Sequence, residues 1–136
     1  MKKEVILRLA NEAFKEFPHK IDKPSFQVIH KNDFVKYVLV SPIIRHHKSD
    51  INYTPSCSVY RNDDSFEVYF CVEVLLQLLN KIEDHAGFVK ALTLHELYHI
   101  WNRHFVNTEW EALESEAKVH YELGKDFPQY AKLLEI

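Results

Sequence analysis

The sequence predicts an α+β fold that forms a single domain over residues 1–136. Helical periodicity comes first along the chain, β-rich segments follow, and helical periodicity returns in the second half. A hydrophobic content of 46% in 136 residues suits one core, and the chain is too short for a second. No repeat or low-complexity linker divides it. We therefore predict an N-terminal helix, a small antiparallel sheet and a set of C-terminal helices.

The first half of the chain predicts one helix and two hairpins. Residues 2–17 place apolar side chains at helical spacing and are followed by a proline. Residues 25–41 are rich in Phe, Val and Ile, and we interpret them as a hairpin with the arms SFQVIH and FVKYVLV. Residues 42–55 contain two prolines and predict a long loop. A second hairpin is expected between Cys57 and Val72, with its turn at Asn62–Asp64.

The second half of the chain predicts four helices. A short helix is expected from about residue 73 to 81, and a long one from about 86 to 105. The third is expected to run from 109 to 123 and to end with Gly124 at the C′ position. A short C-terminal helix follows Pro128.

Composition excludes several classes of function. Seventeen Lys and Arg against twenty Asp and Glu give a net charge of −3, so no overall positive field attracts nucleic acid or anionic lipid. Two glycines are too few for a glycine-rich phosphate loop. No apolar run predicts a membrane span or a signal peptide, and two cysteines make no disulfide framework, so we expect a cytoplasmic protein. Nine histidines, by contrast, are many.

The long predicted helix contains the sequence His95-Glu96-Leu97-Tyr98-His99. Two histidines four residues apart lie on one face of a helix and can bind a single zinc ion. The intervening Glu96 lies about 100° around the helix, where it can take a proton from water without being a ligand. The motif therefore predicts a zinc site with ligands His95 and His99 and with Glu96 as the catalytic general base.

A catalytic zinc site needs a third protein ligand. A metzincin would have a histidine ten residues after His95, but Phe105 occupies that position and no methionine follows Met1. On the next predicted helix, Glu116 is the acidic residue at the centre of an otherwise largely apolar face. We predict Glu116 as the third ligand and keep Glu109, at the edge of that face, as the alternative.

These residues resemble a gluzincin, the class of zinc metallopeptidase with HExxH on one helix and a ligand glutamate on the next. The matching positions are His95, Glu96, His99 and Glu116, within residues 91–120. Chain length and element order further resemble the single-domain minigluzincins. Where the family often has an acidic residue four positions after the ligand glutamate, this chain has His120. The ImmA/IrrE-like peptidases, which also combine HExxH with a glutamate-alanine helix, are a second resemblance.

The gluzincin resemblance implies Zn²⁺ as cofactor and a peptide or protein as substrate. The net charge and the short apolar runs give no expectation of a nucleic-acid or membrane partner. It implies that the substrate lies antiparallel to an edge strand, which we expect at Phe66–Val72. Small members of the class tend to be latent through self-association or a terminal plug, for which residues 126–136 are the candidate. Alternatively, that segment is an ordinary packing helix.

Other interpretations of the motif remain open. Tyr98, Tyr121 and His120 are candidates to stabilise the oxyanion of the reaction, although each residue type is more often structural. A degenerate zincin would keep the metal and act as a binding or regulatory module. A metal-free helical interaction protein would contain HELYH by coincidence, and a chelator would then leave its melting temperature unchanged.

Overall fold

Helices surround one small sheet in the computed structural model, which describes residues 1–39, 51–61, 64–103 and 108–135. The predicted α+β class is confirmed. A short 3-10 helix occupies Ile51–Tyr53. The remaining elements are α1 (Lys3–Glu16), β1 (Ser25–Ile29), α2 (Lys31–Leu39), β2 (Ser56–Tyr60), β3 (Phe66–Cys71), α3 (Val72–Leu79), α4 (His85–Trp101), α5 (Glu109–Asp126) and α6 (Pro128–Leu133).

The sheet is mixed, with β3 between the other two strands. β2 runs antiparallel to β3 with Ser56 opposite Phe70, as the second predicted hairpin requires. β1 runs parallel to β3 with Ser25 opposite Glu67, so the prediction of a wholly antiparallel sheet was wrong. A parallel pair needs a long crossover connection, and the chain between β1 and β3 contains α2 and β2.

The second arm of the first predicted hairpin is the helix α2, so that prediction was also wrong. Phe34 and Val38 lie four residues apart and are both buried, which is the spacing of one helix face. The backbone N–H of Lys31 donates to the carboxylate of Glu73 at 3.0 Å, which gives the first turn an acceptor.

Two other predicted connections fall partly outside the described residues. Residues 42–50 of the predicted loop lie outside the described residues. The rest of that loop, residues 51–55, contains the 3-10 helix. At the second predicted turn, residues 62 and 63 also lie outside the description, and Asp64 has a φ of 64°.

The sheet separates two apolar clusters because side chains alternate along β3. Val68 and Phe70 belong to the main core, which α1, α4 and α5 complete. Tyr69 and Cys71 face the other way, into a smaller cluster with α2 and the 3-10 helix. The main core therefore lies between the sheet and the helix that carries the HExxH motif.

Helix α4 is buried along residues 91–100, and α1, β2, α5 and α6 all pack against this helix. It begins where the Asp84 carboxylate accepts the N–H of Gly87 at 2.8 Å. It ends at Trp101 with Asn102 as its C-cap, and the last two residues of the predicted span, 104 and 105, lie outside the described residues.

Helix α5 begins where the Thr108 hydroxyl accepts the N–H of Glu111 at 3.1 Å. The prediction that Gly124 ends it was wrong, because the helix continues to Asp126 and no described glycine has a positive φ. Pro128 then opens α6, as predicted. Within the described chain, no helix combines the length and apolarity that crossing a membrane requires.

Candidate metal centre

The two histidines of the HExxH motif lie side by side on α4. Their Nε2 atoms are 3.1 Å apart, and both residues are buried, with exposures of 9% for His95 and 4% for His99. Because α4 is packed on several sides, the surrounding core fixes where these two rings sit. The two imidazoles are thus neighbours, as the helical spacing predicted.

Glu116 extends from α5 to both of these rings. Its Oε2 lies 3.1 Å from Nε2 of His95, and its Oε1 lies 2.8 Å from Nε2 of His99. The structure thus brings together the three residues that the sequence predicts as metal ligands. Glu109, the alternative, is exposed in the first turn of α5 and is not among the residues that line the cleft around these rings.

The three side chains fit a zinc ion. Tetrahedral zinc with bonds of about 2.0–2.1 Å places its ligand atoms about 3.3–3.4 Å apart. The corresponding atoms are separated here by 2.8–3.1 Å, so shifts of a few tenths of an ångström would complete the coordination geometry. Two imidazole nitrogens and one carboxylate are also a ligand set of catalytic zinc sites.

The protonation of the cluster depends on these contacts. Burial opposes ionisation of Glu116, but hydrogen bonds from His95 and His99 outweigh it and hold the pKa of Glu116 well below its usual range. Burial alone would lower the pKa of His95, and the hydrogen bond and charge of Glu116 raise it instead. The carboxylate is therefore ionised, the form that a metal ligand requires.

Glu96 points from α4 towards strand β2, where two serine hydroxyls bind its carboxylate. Ser56 Oγ donates to Oε2 at 2.7 Å, and Ser58 Oγ lies 2.8 Å from Oε1. Glu96 is only 4% exposed, and both serines are buried. A buried carboxylate needs such partners, so the serine pair explains how the fold tolerates Glu96 next to the histidines.

Sequence reasoning did not identify Ser56 and Ser58. They alternate with Cys57 and Val59, which face the smaller apolar cluster, so the serines face α4. The sequence does show two serines at alternate positions of a β-rich segment, a spacing that puts both on the same face of a strand. That pattern does not say which carboxylate they meet.

His120 lies one helical turn after Glu116 on α5. One of its ring nitrogens is within 4.8 Å of ligand atoms of both His95 and Glu116. Its ring centroid is 5.4 Å from that of His95. Partial desolvation lowers the pKa of His120, and the nearby His95 charge lowers it further, which favours the neutral imidazole.

Of the three oxyanion candidates, His120 lines the cleft next to His95, His99 and Glu116. The Tyr98 hydroxyl donates instead to the carboxylate of Asp126, at the end of α5. Tyr121 is 71% exposed and is not among the residues that line the cleft. The two tyrosines are therefore not placed for the role that the sequence suggested.

A cleft of about 470 Å³ opens onto the cluster. Besides Glu96, His95, His99, Glu116 and His120, its walls are formed by Tyr53, Thr54, Pro55, Ser56, Leu78, Phe88, Leu92 and Leu134. The predicted substrate strand was wrong, because β3 is paired on both sides, whereas β2 is an edge of the described sheet and contributes Ser56 to the cleft. Of the predicted plug, Leu134 reaches the cleft, while Phe127, Tyr130 and Leu133 pack against the main core.

The chain matches no protein-family model, no curated protein and no solved structure. Its resemblance to gluzincins therefore stays a prediction that rests on the motif residues and their arrangement.

Proposed function

We propose that this protein is a zinc-dependent metallopeptidase in which His95, His99 and Glu116 bind the metal. The observation that carries the proposal is the convergence of two imidazole nitrogens and a carboxylate within 2.8–3.1 Å of one another. A second carboxylate, that of the buried Glu96, lines the same cleft. This combination supports hydrolysis better than metal storage, because storage does not need a separate proton acceptor.

Bound zinc would supply Lewis-acid activation of water and of the scissile carbonyl. Glu96 would take the proton of the attacking water on a carboxylate oxygen and later donate it to the leaving amine. The Ser56 and Ser58 hydroxyls orient that carboxylate and leave lone pairs on both oxygens for this transfer. Chain residues thus provide the ligand set, the proton carrier and its support.

We infer a peptide in extended conformation as the substrate. β2 is an edge of the described sheet, and an extended peptide can pair with such an edge by main-chain hydrogen bonds. Leu78, Phe88 and Leu92 give the cleft an apolar wall that suits an apolar side chain of the peptide.

A reducing location such as the cytoplasm fits the described thiols. Cys57 and Cys71 are both buried and both free, and neither takes part in a disulfide. We therefore keep the cytoplasm as the proposed compartment.

Zinc content is the first test of the proposal. Protein purified without chelator should contain about one zinc per chain, and Glu116→Ala should lose most of it. Glu114→Ala is the matched control, because Glu114 is an exposed glutamate on the same helix. Chelation should lower the melting temperature of the wild type, since a ligand that binds only the folded state stabilises it.

The outcomes separate the alternatives. Equal zinc in wild type and Glu116→Ala would show that Glu116 is not the third ligand. No zinc in any variant, even after zinc is supplied, would make the motif a coincidence and favour a metal-free interaction protein. Zinc without cleavage of any peptide, also after removal of the C-terminal segment, would favour a degenerate zincin with a regulatory role.

A further inference from the structure

The metal cluster has more candidate ligands than a catalytic zinc ion needs. Catalytic sites combine three protein ligands with an open position, whereas structural sites use four protein ligands. Besides His95, His99 and Glu116, His120 has a ring nitrogen within 4.8 Å of ligand atoms of His95 and Glu116. His120 also follows Glu116 by four residues, so both side chains project from the same face of α5.

The four side chains differ in how firmly the fold holds them. His95 and His99 are buried on α4, and Glu116 is tied to both rings by hydrogen bonds. His120 is exposed, and its ring meets His95 edge-on at the wall of the cleft. It is therefore the one of the four with room to turn towards solvent while the other three stay in place.

We propose that His120 is a displaceable fourth ligand, which closes the coordination sphere at rest and must leave before a substrate can reach the metal. The inference rests on the proposed metal site and adds a means of control to it. A resting four-ligand site would bind zinc tightly and turn over slowly. Any substrate or partner that draws His120 away would then open the site.

The test compares wild type, His120→Ala and the control His85→Ala, which removes an exposed histidine at the start of α4. Zinc affinity is measured by competition with a chromophoric chelator, and the visible absorption of Co²⁺-substituted protein reports coordination. Loss of an outer-shell partner of a ligand costs about 10–100-fold in metal affinity, so loss of a direct ligand should cost at least about 100-fold. His120→Ala should also change the Co²⁺ spectrum, and added imidazole should restore it.

Unchanged affinity and an unchanged Co²⁺ spectrum in His120→Ala would overturn the inference. Lower turnover with unchanged affinity would also overturn it and would make His120 a hydrogen-bond donor to the oxyanion. Failure of wild type and His120→Ala alike to bind zinc or Co²⁺ would contradict the metal site itself, and this inference with it. Because His120 is exposed, the variant should keep the circular dichroism of the wild type.

Discussion

Helices α4 and α5 together form the site, but they are built in different ways. α4 is buried along residues 91–100 and is packed from several sides. α5 buries only one side, and exposes Trp110, Leu113 and Tyr121 by 60–71%. The buried helix contains two of the proposed ligands and the proposed proton acceptor, which need fixed positions, and the exposed helix contributes the proposed carboxylate ligand and His120. Packing thus divides the candidate site into a buried half on α4 and a more exposed half on α5.

The largest effect is expected when Glu96, the proposed proton acceptor of α4, is replaced. Glu96→Gln keeps the size of the side chain but cannot accept a proton from water, so the turnover of a cleaved reporter peptide should fall by about 10²–10⁴-fold. Zinc content should not change. Glu114→Gln on the exposed face of α5 is the control and should retain full turnover. If Glu96→Gln were as active as the wild type, another residue would have to be the general base.

Two leucines test the difference in packing directly. Leu97→Ala on α4 removes a side chain that is 0% exposed and should lower the free energy of unfolding by about 2–5 kcal/mol. Leu113→Ala on α5 removes one that is 60% exposed and should change it by about 0.5 kcal/mol or less. Urea unfolding of both variants measures the two values. Similar losses at the two sites would contradict the contrast between the helices.

Two buried serines provide a smaller test of the same contrast. Ser58→Ala removes a hydrogen-bond donor from the Glu96 carboxylate and should cost about 1.5–3 kcal/mol of stability, because that acceptor is charged. Ser115 on α5 donates to a neutral carbonyl, that of Ala112, so Ser115→Ala should cost about 0.5–1.5 kcal/mol. Thermal unfolding of the pair gives the comparison. If Ser115→Ala lost as much stability as Ser58→Ala, or more, the hydrogen bond from Ser58 to the Glu96 carboxylate would not be the stronger of the two.

The smallest expected effect is a gain in stability on α5. Gly124 lies inside the helix, and an added Cβ would meet no atom within 4 Å. Gly124→Ala should therefore raise the free energy of unfolding by about 0.4–1 kcal/mol, because alanine loses less backbone entropy on folding. Chemical denaturation is the measurement. A loss of stability would mean that Gly124 has a role at the end of α5 that its open surroundings do not reveal.

Short-range patterns allowed the ligand set to be predicted as a spatial cluster. His95 and His99 are neighbours because of helix geometry alone. Glu116 was selected as the acidic residue on the otherwise apolar face of the next helix, and the structure brings it to both rings. Such periodicity depends only on residues within a few turns of one another, which is why sequence can express it.

Features that depend on distant segments were not predictable in the same way. The run FVKYVLV is apolar at almost every position, so it does not distinguish a strand from the buried side of α2. Likewise, the parallel pairing of β1 with β3 depends on a crossover that no local pattern specifies. The hydrogen bonds from Ser56 and Ser58 to Glu96 join residues that are 40 and 38 positions apart in the sequence, so only the folded structure reveals them.

Ser56 and Ser58 flank Cys57, whose thiol is buried, so chemical labelling of this thiol can report local opening of β2. Burial raises the pKa of Cys57 well above its usual value, and the nearby Glu96 and Glu116 charges raise it further. The thiolate is the form that attacks labelling reagents, so Cys57 should react only when β2 separates from the smaller apolar cluster that buries this thiol. The rate of thiol labelling at Cys57 would then measure how often the strand that supports Glu96 leaves its place, and zinc binding should slow that rate.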